Sequence, residues 1–111
     1  MGLVAETLRR LHDEGEINNN DVARVVKTHI RTVERWGKGD TEPPPAKKEL
    51  LLYLSVAVKQ ARKHMDREQA WAWLHSPNPY LDNEIPLDVL ARRDYRRVLA
   101  ALDAEAEGVY I

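Results

Sequence analysis

The side chains able to do chemistry in this chain fall into two clusters of opposite sign. Between Arg24 and Lys38 stand Arg24, Lys27, Arg31, Arg35 and Lys38 against a single carboxylate, Glu34, although the 111-residue chain as a whole carries a formal charge of only −1. A short cationic stripe on a nearly neutral chain is the footprint of a small phosphate-contacting unit, not of a protein coated for nucleic acid. Near the other end, Asp103, Glu105 and Glu107 form an acidic run that leads through Gly108 into an apolar tail, Val109-Tyr110-Ile111. Catalytic alternatives are thin. The four histidines, His12, His29, His64 and His75, have neither HxxxH nor HExxH spacing, and there is no cysteine for a thiolate site or a disulfide. No serine, threonine or lysine sits in a nucleophile motif, and no glycine-rich phosphate loop is present. The residues point to binding, not to an enzyme, with no metal and no cofactor expected.

The cationic stripe has to be carried by short helices. Leu3, Val4, Leu8 and Leu11 recur at helical spacing, which predicts a first amphipathic helix from Leu3 to His12 with Gly15 as its stop. Asn18 is suited to cap a second helix by accepting from the Asp21 amide, and Val22, Ala23, Val25 and Val26 give that helix a short apolar face ending near Lys27. A third helix follows after Thr28, with Ile30, Val33 and Trp36 expected inward and Gly37 or Gly39 closing it. Two short helices joined by a tight turn and preceded by a support make a helix-turn-helix. In that arrangement His29, Arg31 and Thr32 lie first in line for base edges, while Arg24, Lys27, Arg35 and Lys38 are set to hold phosphates. Lys27-Thr28 stands where many such motifs have glycine. The alternative is a plain three-helix bundle with a solvated basic face.

The acidic run is positioned by a second half. Gly37 to Ala46 holds two glycines and three consecutive prolines, a stiff connector after which a new helix begins near Ala46 or Lys47. Leu50 to Val58 is almost continuously apolar and reads as a spine, either buried centrally or serving as a dimer surface. Asp66 can cap a further helix, Arg67 to Leu74, whose Trp71 and Trp73 lie two apart and so face different sides. Ser76-Pro77-Asn78-Pro79 stops it in a stiff turn, because residues before proline are held extended. Pro86 suits the first position of a short helix to Ala91, and the last helix, Asp94 to about Ala106, puts Tyr95, Val98, Leu99, Leu102 and Ala106 on one stripe before Gly108 ends it. The resulting expectation is an all-α chain: a helix-turn-helix unit with linker over 1–45 and a small helical domain over 46–111.

With 43% hydrophobic and 32% charged residues the chain is expected to fold, and its longest apolar run is too short to span a bilayer. A cytoplasmic protein without membrane contact is expected. Asp103, Glu105 and Glu107 in isolation read first as a solvated face.

The order Trp73-Leu74, Pro77-Asn78-Pro79, Leu81, Pro86-Leu87, Val89-Leu90, Val98, Leu102 and Gly108-Val109-Tyr110 resembles the toxin-binding domain of the Xre/MbcA/ParS antitoxins. The resemblance runs from about Lys47 to Ile111, and the helix-turn-helix with Arg35-Trp36 extends it over nearly the whole chain. It implies an antitoxin whose C-terminal domain binds a RES-domain toxin, an NAD-degrading enzyme, and blocks its active site. It also implies an N-terminal unit that autoregulates the operon on operator DNA, and a homodimer or higher assembly with toxin. A toxin pocket built for a dinucleotide pyrophosphate is expected to be cationic. Asp103, Glu105, Glu107 and the Ile111 carboxylate are matched to it in charge, with Gly108, Val109 and Tyr110 anchoring the tail at its mouth. Two other readings stand beside this one: a stand-alone helix-turn-helix regulator whose second half only dimerises, and an adaptor with no DNA role.

Overall fold

Asn18 and Asp21 fix the first internal reference point of the fold. Asn18 Oδ1 accepts from the Asp21 amide at 2.9 Å, and Asp21 Oδ2 accepts from the Asn18 amide at 3.2 Å, a reciprocal capping box that opens the second helix. The structure, a computed structural model, describes residues 2–108. Its helices are α1 (Leu3–Gly15), α2 (Asn19–Val26), α3 (Ile30–Lys38), α4 (Pro45–Arg62), α5 (Arg67–His75), α6 (Pro86–Ala91) and α7 (Tyr95–Glu107), with a 3-10 turn at Pro79–Leu81. Among the described residues there is no strand, only an isolated antiparallel bridge between Asn78 and Glu84. The class is all-α, as expected.

The spine is α4, which packs against α1, α2, α5, α6 and α7. Pro45 opens it, because an N1 proline lacks only an amide that has no helical partner in any case. Leu50, Leu51, Leu54, Ala57, Val58 and Ala61 are buried along it, and burial of a leucine as complete as that of Leu54 contributes roughly 1.5–3 kcal/mol. One buried cluster runs through the molecule, joining Leu11, Val25, Val33 and Trp36 before the proline linker to Leu74, Leu87, Leu90 and Val98 after it. Within the apolar run from Leu50 to Val58 only Leu52, 59% exposed, is left bare.

Four local expectations are corrected. The first helix runs on to Gly15, and the left-handed stop is Glu16 (φ 54°), not the glycine. Gly15 is instead pressed against the spine, where a Cβ would lie 2.9 Å from Val58 Cγ1. Ile30 is 37% exposed rather than inward: three-residue steps drift around a helix, so it sits far around the wheel from Trp36, and the covered face is centred on Val33 and Trp36. Ala106 is exposed because α7 outruns its cover, burial along it stopping at Ala104.

Candidate functional site

The turn between α2 and α3 works without glycine because Lys27 itself takes the left-handed conformation (φ 58°, ψ 58°). The amides of Lys27 and Thr28 both reach the Ala23 carbonyl, and the Lys47 ammonium donates to the Lys27 carbonyl at 3.3 Å. His29 then caps α3 through its backbone, its carbonyl accepting from the amides of Thr32 and Val33. On the outward side Arg31, Arg35 and Lys38 are exposed and Thr32 is half-buried. Among the described residues these three cations make no ion pair. Arg24 differs, since its Nε and Nη2 lie 3.0 and 2.7 Å from Asp88 Oδ1 on α6. The stripe therefore divides into cations open to an outside anion and one held within the molecule. Arg24 was expected on the phosphate side, and nothing local in the sequence pairs it with a residue in a different half.

Further ties join the same regions. His75 Nε2 on α5 lies 3.0 Å from Asp21 Oδ1, both side chains only 13% exposed, and Arg62 Nη1 donates to the Glu14 carbonyl at 2.6 Å. The other histidines, His12, His29 and His64, are exposed, and among the described residues no cluster of three His, Asp or Glu side chains is arranged to hold a metal.

The acidic run is positioned by the turn that precedes it. Asp66 and Gln69 form a second capping box at the start of α5. Trp71 is 42% exposed with its ring stacked on His75 at 4.1 Å, while Trp73 packs against the core, as two residues two apart must divide. Ser76 and Asn78 are both extended. Asn78, 3% exposed, is the node of the turn: its Oδ1 accepts from the Tyr80 amide at 2.8 Å, and its carbonyl accepts from Leu81 and Asn83. Leu81 is thereby buried, and Arg97 of α7 is held to Asp82 at 3.2 Å and to Asp94 at 3.5 Å. Tyr95 stacks on Tyr53 of the spine at 4.1 Å. Burial, and then the neighbouring Glu49 carboxylate, push the Tyr53 hydroxyl above its ordinary range.

So fixed, α7 ends in carboxylates. Asp103 and Glu107 are exposed and Glu105 is half-buried; none of them makes an ion pair among the described residues, and the last turn contains no basic residue. Carboxylates at a helix C-terminus face the negative pole of the helix dipole, so this arrangement is mildly unfavourable in the free chain. Gly108 closes the helix in the left-handed region (φ 71°). Val109, Tyr110 and Ile111, assigned to the same site from sequence, lie outside the described residues.

The model of the antitoxin Xre/MbcA/ParS C-terminal toxin-binding domain matches residues 65–108, which take in α5, the Asn78 turn, α6 and α7. The mycobacterial cidal antitoxin MbcA of Mycobacterium tuberculosis, and that of Mycobacterium bovis, are each 31% identical over 111 residues, covering 100% of this chain and 98% of theirs. The chain belongs to the MbcA-like antitoxins. A probable mycobacterial cidal antitoxin of M. tuberculosis is also 31% identical to this antitoxin, over 82% of its length and 77% of the relative's. The fold of the antitoxin superposes on a chain of the crystal structure of the M. tuberculosis MbcT–MbcA toxin–antitoxin complex with a TM-score of 0.87, at 31% identity and full coverage of both chains. The span matched by the family model begins at Met65, just after the spine α4 ends, whereas the match to the mycobacterial antitoxins takes in α4 and the helices before it.

Proposed function

We propose that this antitoxin binds a RES-domain toxin that degrades NAD⁺ and inhibits it by covering the toxin's active site with the acidic end of α7 and the tail beyond. The observation that carries the reading is the set of Asp103, Glu105 and Glu107, which make no ion pair among the described residues and stand at the negative pole of their own helix. A cationic pocket shaped for a pyrophosphate relieves that repulsion and supplies the missing counter-charge. The chain acts as an inhibitor, not as an enzyme, and works in the cytoplasm with its toxin, as a homodimer or higher assembly. The test is deletion of residues 108–111. The truncated protein is expected to keep its helical circular dichroism and to lose inhibition of NAD⁺ hydrolysis by the toxin; unchanged inhibition overturns the reading.

A second role is favoured by the exposure of Arg31, Arg35 and Lys38 on α3, which make no ion pair among the described residues. We infer that residues 1–45 form a DNA-contacting helix-turn-helix unit and residues 46–111 the toxin-binding unit, with His29, Arg31 and Thr32 toward bases and Lys27, Arg35 and Lys38 toward phosphates of an operator. Arg24 serves the internal pair with Asp88 first. A stand-alone regulator whose second half only dimerises would co-purify with no toxin, which separates that alternative.

A further inference from the structure

Five large apolar side chains are exposed among the described residues. Trp71 and Tyr80 lie inside the span that matches the toxin-binding model, and Ile30 stands on α3. The other two, Leu3 at 82% and Leu52 at 59%, are far apart in sequence yet line one groove between α1 and α4. The groove holds about 230 Å3, with Val4, Thr7, Leu51 and Ser55 in its wall and Lys48 at its edge. Thr7 Oγ1 donates to the Leu3 carbonyl at 2.9 Å, so that hydroxyl is already satisfied. The charges around the patch are paired within the molecule: Glu6 with Arg9 at 3.5 Å and with Arg10 at 3.8 Å, and Lys48 with Glu42 at 3.0 Å. Farther along, Gly15 meets Val58 and Arg62 reaches the Glu14 carbonyl, so α1 and α4 lie side by side in the same direction. Lys59 and Lys63 are exposed at that far end, and the face grades from apolar to cationic.

We propose that this α1/α4 patch is the contact between two copies of the chain, packed antiparallel about a two-fold axis. An isologous contact must be complementary to itself, and the patch carries both halves of such a fit: protruding leucines beside a groove able to receive them. An apolar cavity of about 150 Å3 already takes a benzene-sized group, so the groove has room for a leucine side chain. Its chemistry suits neither of the other proposed partners. An apolar floor has nothing to offer phosphate oxygens, and a rim whose charges are already paired gives little to a cationic pocket. Antiparallel packing sets the Lys59 and Lys63 ends of the two faces at opposite edges, whereas parallel packing would bring these like charges together. Two helices about 10 Å across, side by side over the roughly 20 Å length of α1, make a face small for a permanent dimer and suited to a reversible one of micromolar affinity. The inference rests on the homodimer reading and names its surface.

Sedimentation velocity on the full chain at about 1–200 µM, a range that brackets micromolar affinity, tests it. The chain is expected to pass from monomer to dimer over that range. Leu52→Asp and Leu3→Asp should each weaken association by about 100-fold or more, because the two-fold axis buries each new carboxylate twice against apolar surface. Both positions are exposed in the single chain, and aspartate at the first position of α1 suits the positive end of that helix, so Leu3→Asp should melt no earlier than the parent. Lys59→Asp, on the same face beyond the patch, should leave association unchanged. Since the chain has no cysteine, Ser55→Cys adds a single thiol in the groove, and its alkylation by iodoacetamide should slow as protein concentration rises. Unchanged association in both aspartate variants overturns this surface and leaves a homodimer formed through another face. A chain that stays monomeric across the range overturns the surface and the homodimer together. Loss of toxin inhibition in Leu52→Asp with association unchanged assigns the patch to the toxin and overturns the proposal as well.

Discussion

His75 on α5 holds Asp21 on α2: Nε2 lies 3.0 Å from Oδ1, while Nδ1 lies 2.7 Å from the Trp71 carbonyl and the Trp71 ring stacks on the imidazole. Asp21 also completes the capping box of α2 with Asn18, and this contact therefore ties the start of α2 to the segment that carries the Asn78 turn. A double-mutant cycle with His75→Ala and Asp21→Ala is expected to give a coupling of about 1–2 kcal/mol, since the groups are mostly shielded from water. Chemical denaturation of the four proteins measures it; additive losses would show the two residues to be independent.

Gly15 is required by packing against the spine. A methyl group there would meet Val58 Cγ1 at 2.9 Å and Ile17 Cγ1 at 3.3 Å, and Val58 is a stiff, buried, β-branched residue with little room to yield. Gly15→Ala should destabilise the fold by about 1–3 kcal/mol despite alanine's better helix propensity, as read by thermal melting. Combining it with Val58→Ala should recover part of that loss.

Lys27 shows the opposite case, a left-handed position (φ 58°) occupied by a residue with a Cβ. Lys27→Gly is expected to raise stability by about 1 kcal/mol, because the Lys47 bond at this corner uses only the backbone carbonyl. If Lys27 holds an operator phosphate, the same variant binds DNA more weakly while melting later.

What could be read from sequence followed range. Asn18 with Asp21, Asp66 as the cap of α5, Pro86 at the start of α6 and the extended residues before Pro77 and Pro79 act within three residues, and the structure has them as expected. The acidic end of α7 and the Gly108 stop were legible for the same reason. The contacts that organise the halves were not: Arg24 with Asp88 and His75 with Asp21 join residues 64 and 54 apart, and no spacing rule links them. Gly15 was misread as a stop because glycine signals both chain reversal and close approach, and only the position of Val58 decides between them. That the buried Trp73 N–H finds no acceptor among the described residues was invisible too, since satisfaction of a donor is decided by what surrounds it.

The exposed cations of α3 make a prediction graded by residue. Among the described residues Arg31, Arg35 and Lys38 make no ion pair, whereas Arg24 is held by Asp88. If Arg35 and Lys38 neutralise operator phosphates, Arg35→Ala with Lys38→Ala should lower the slope of log affinity against log salt by about 1.8, and Arg24→Ala should change it less. Fluorescence anisotropy with the chain's own promoter at several salt concentrations measures this. A slope equally steep in the double variant would assign DNA contact elsewhere.

The end of α7 makes the sharpest demand, because one substitution should move stability and function in opposite directions. Glu107 is exposed at the last position of the helix with no cation near it in the final turn. Replacing it by lysine turns an unfavourable charge at the negative pole into a favourable one, so Glu107→Lys should stabilise the free antitoxin by about 0.3–1 kcal/mol at low salt. Against a cationic toxin pocket the same change substitutes repulsion for attraction, and inhibition should weaken, most strongly at low ionic strength where charges are least screened. Melting curves and toxin inhibition are measured on the same preparation. A variant that melts later and inhibits worse fits an acidic end kept for binding; one that melts later and inhibits as well as the parent would mean that this end of α7 is a solvated surface and that the toxin is held by other parts of the chain.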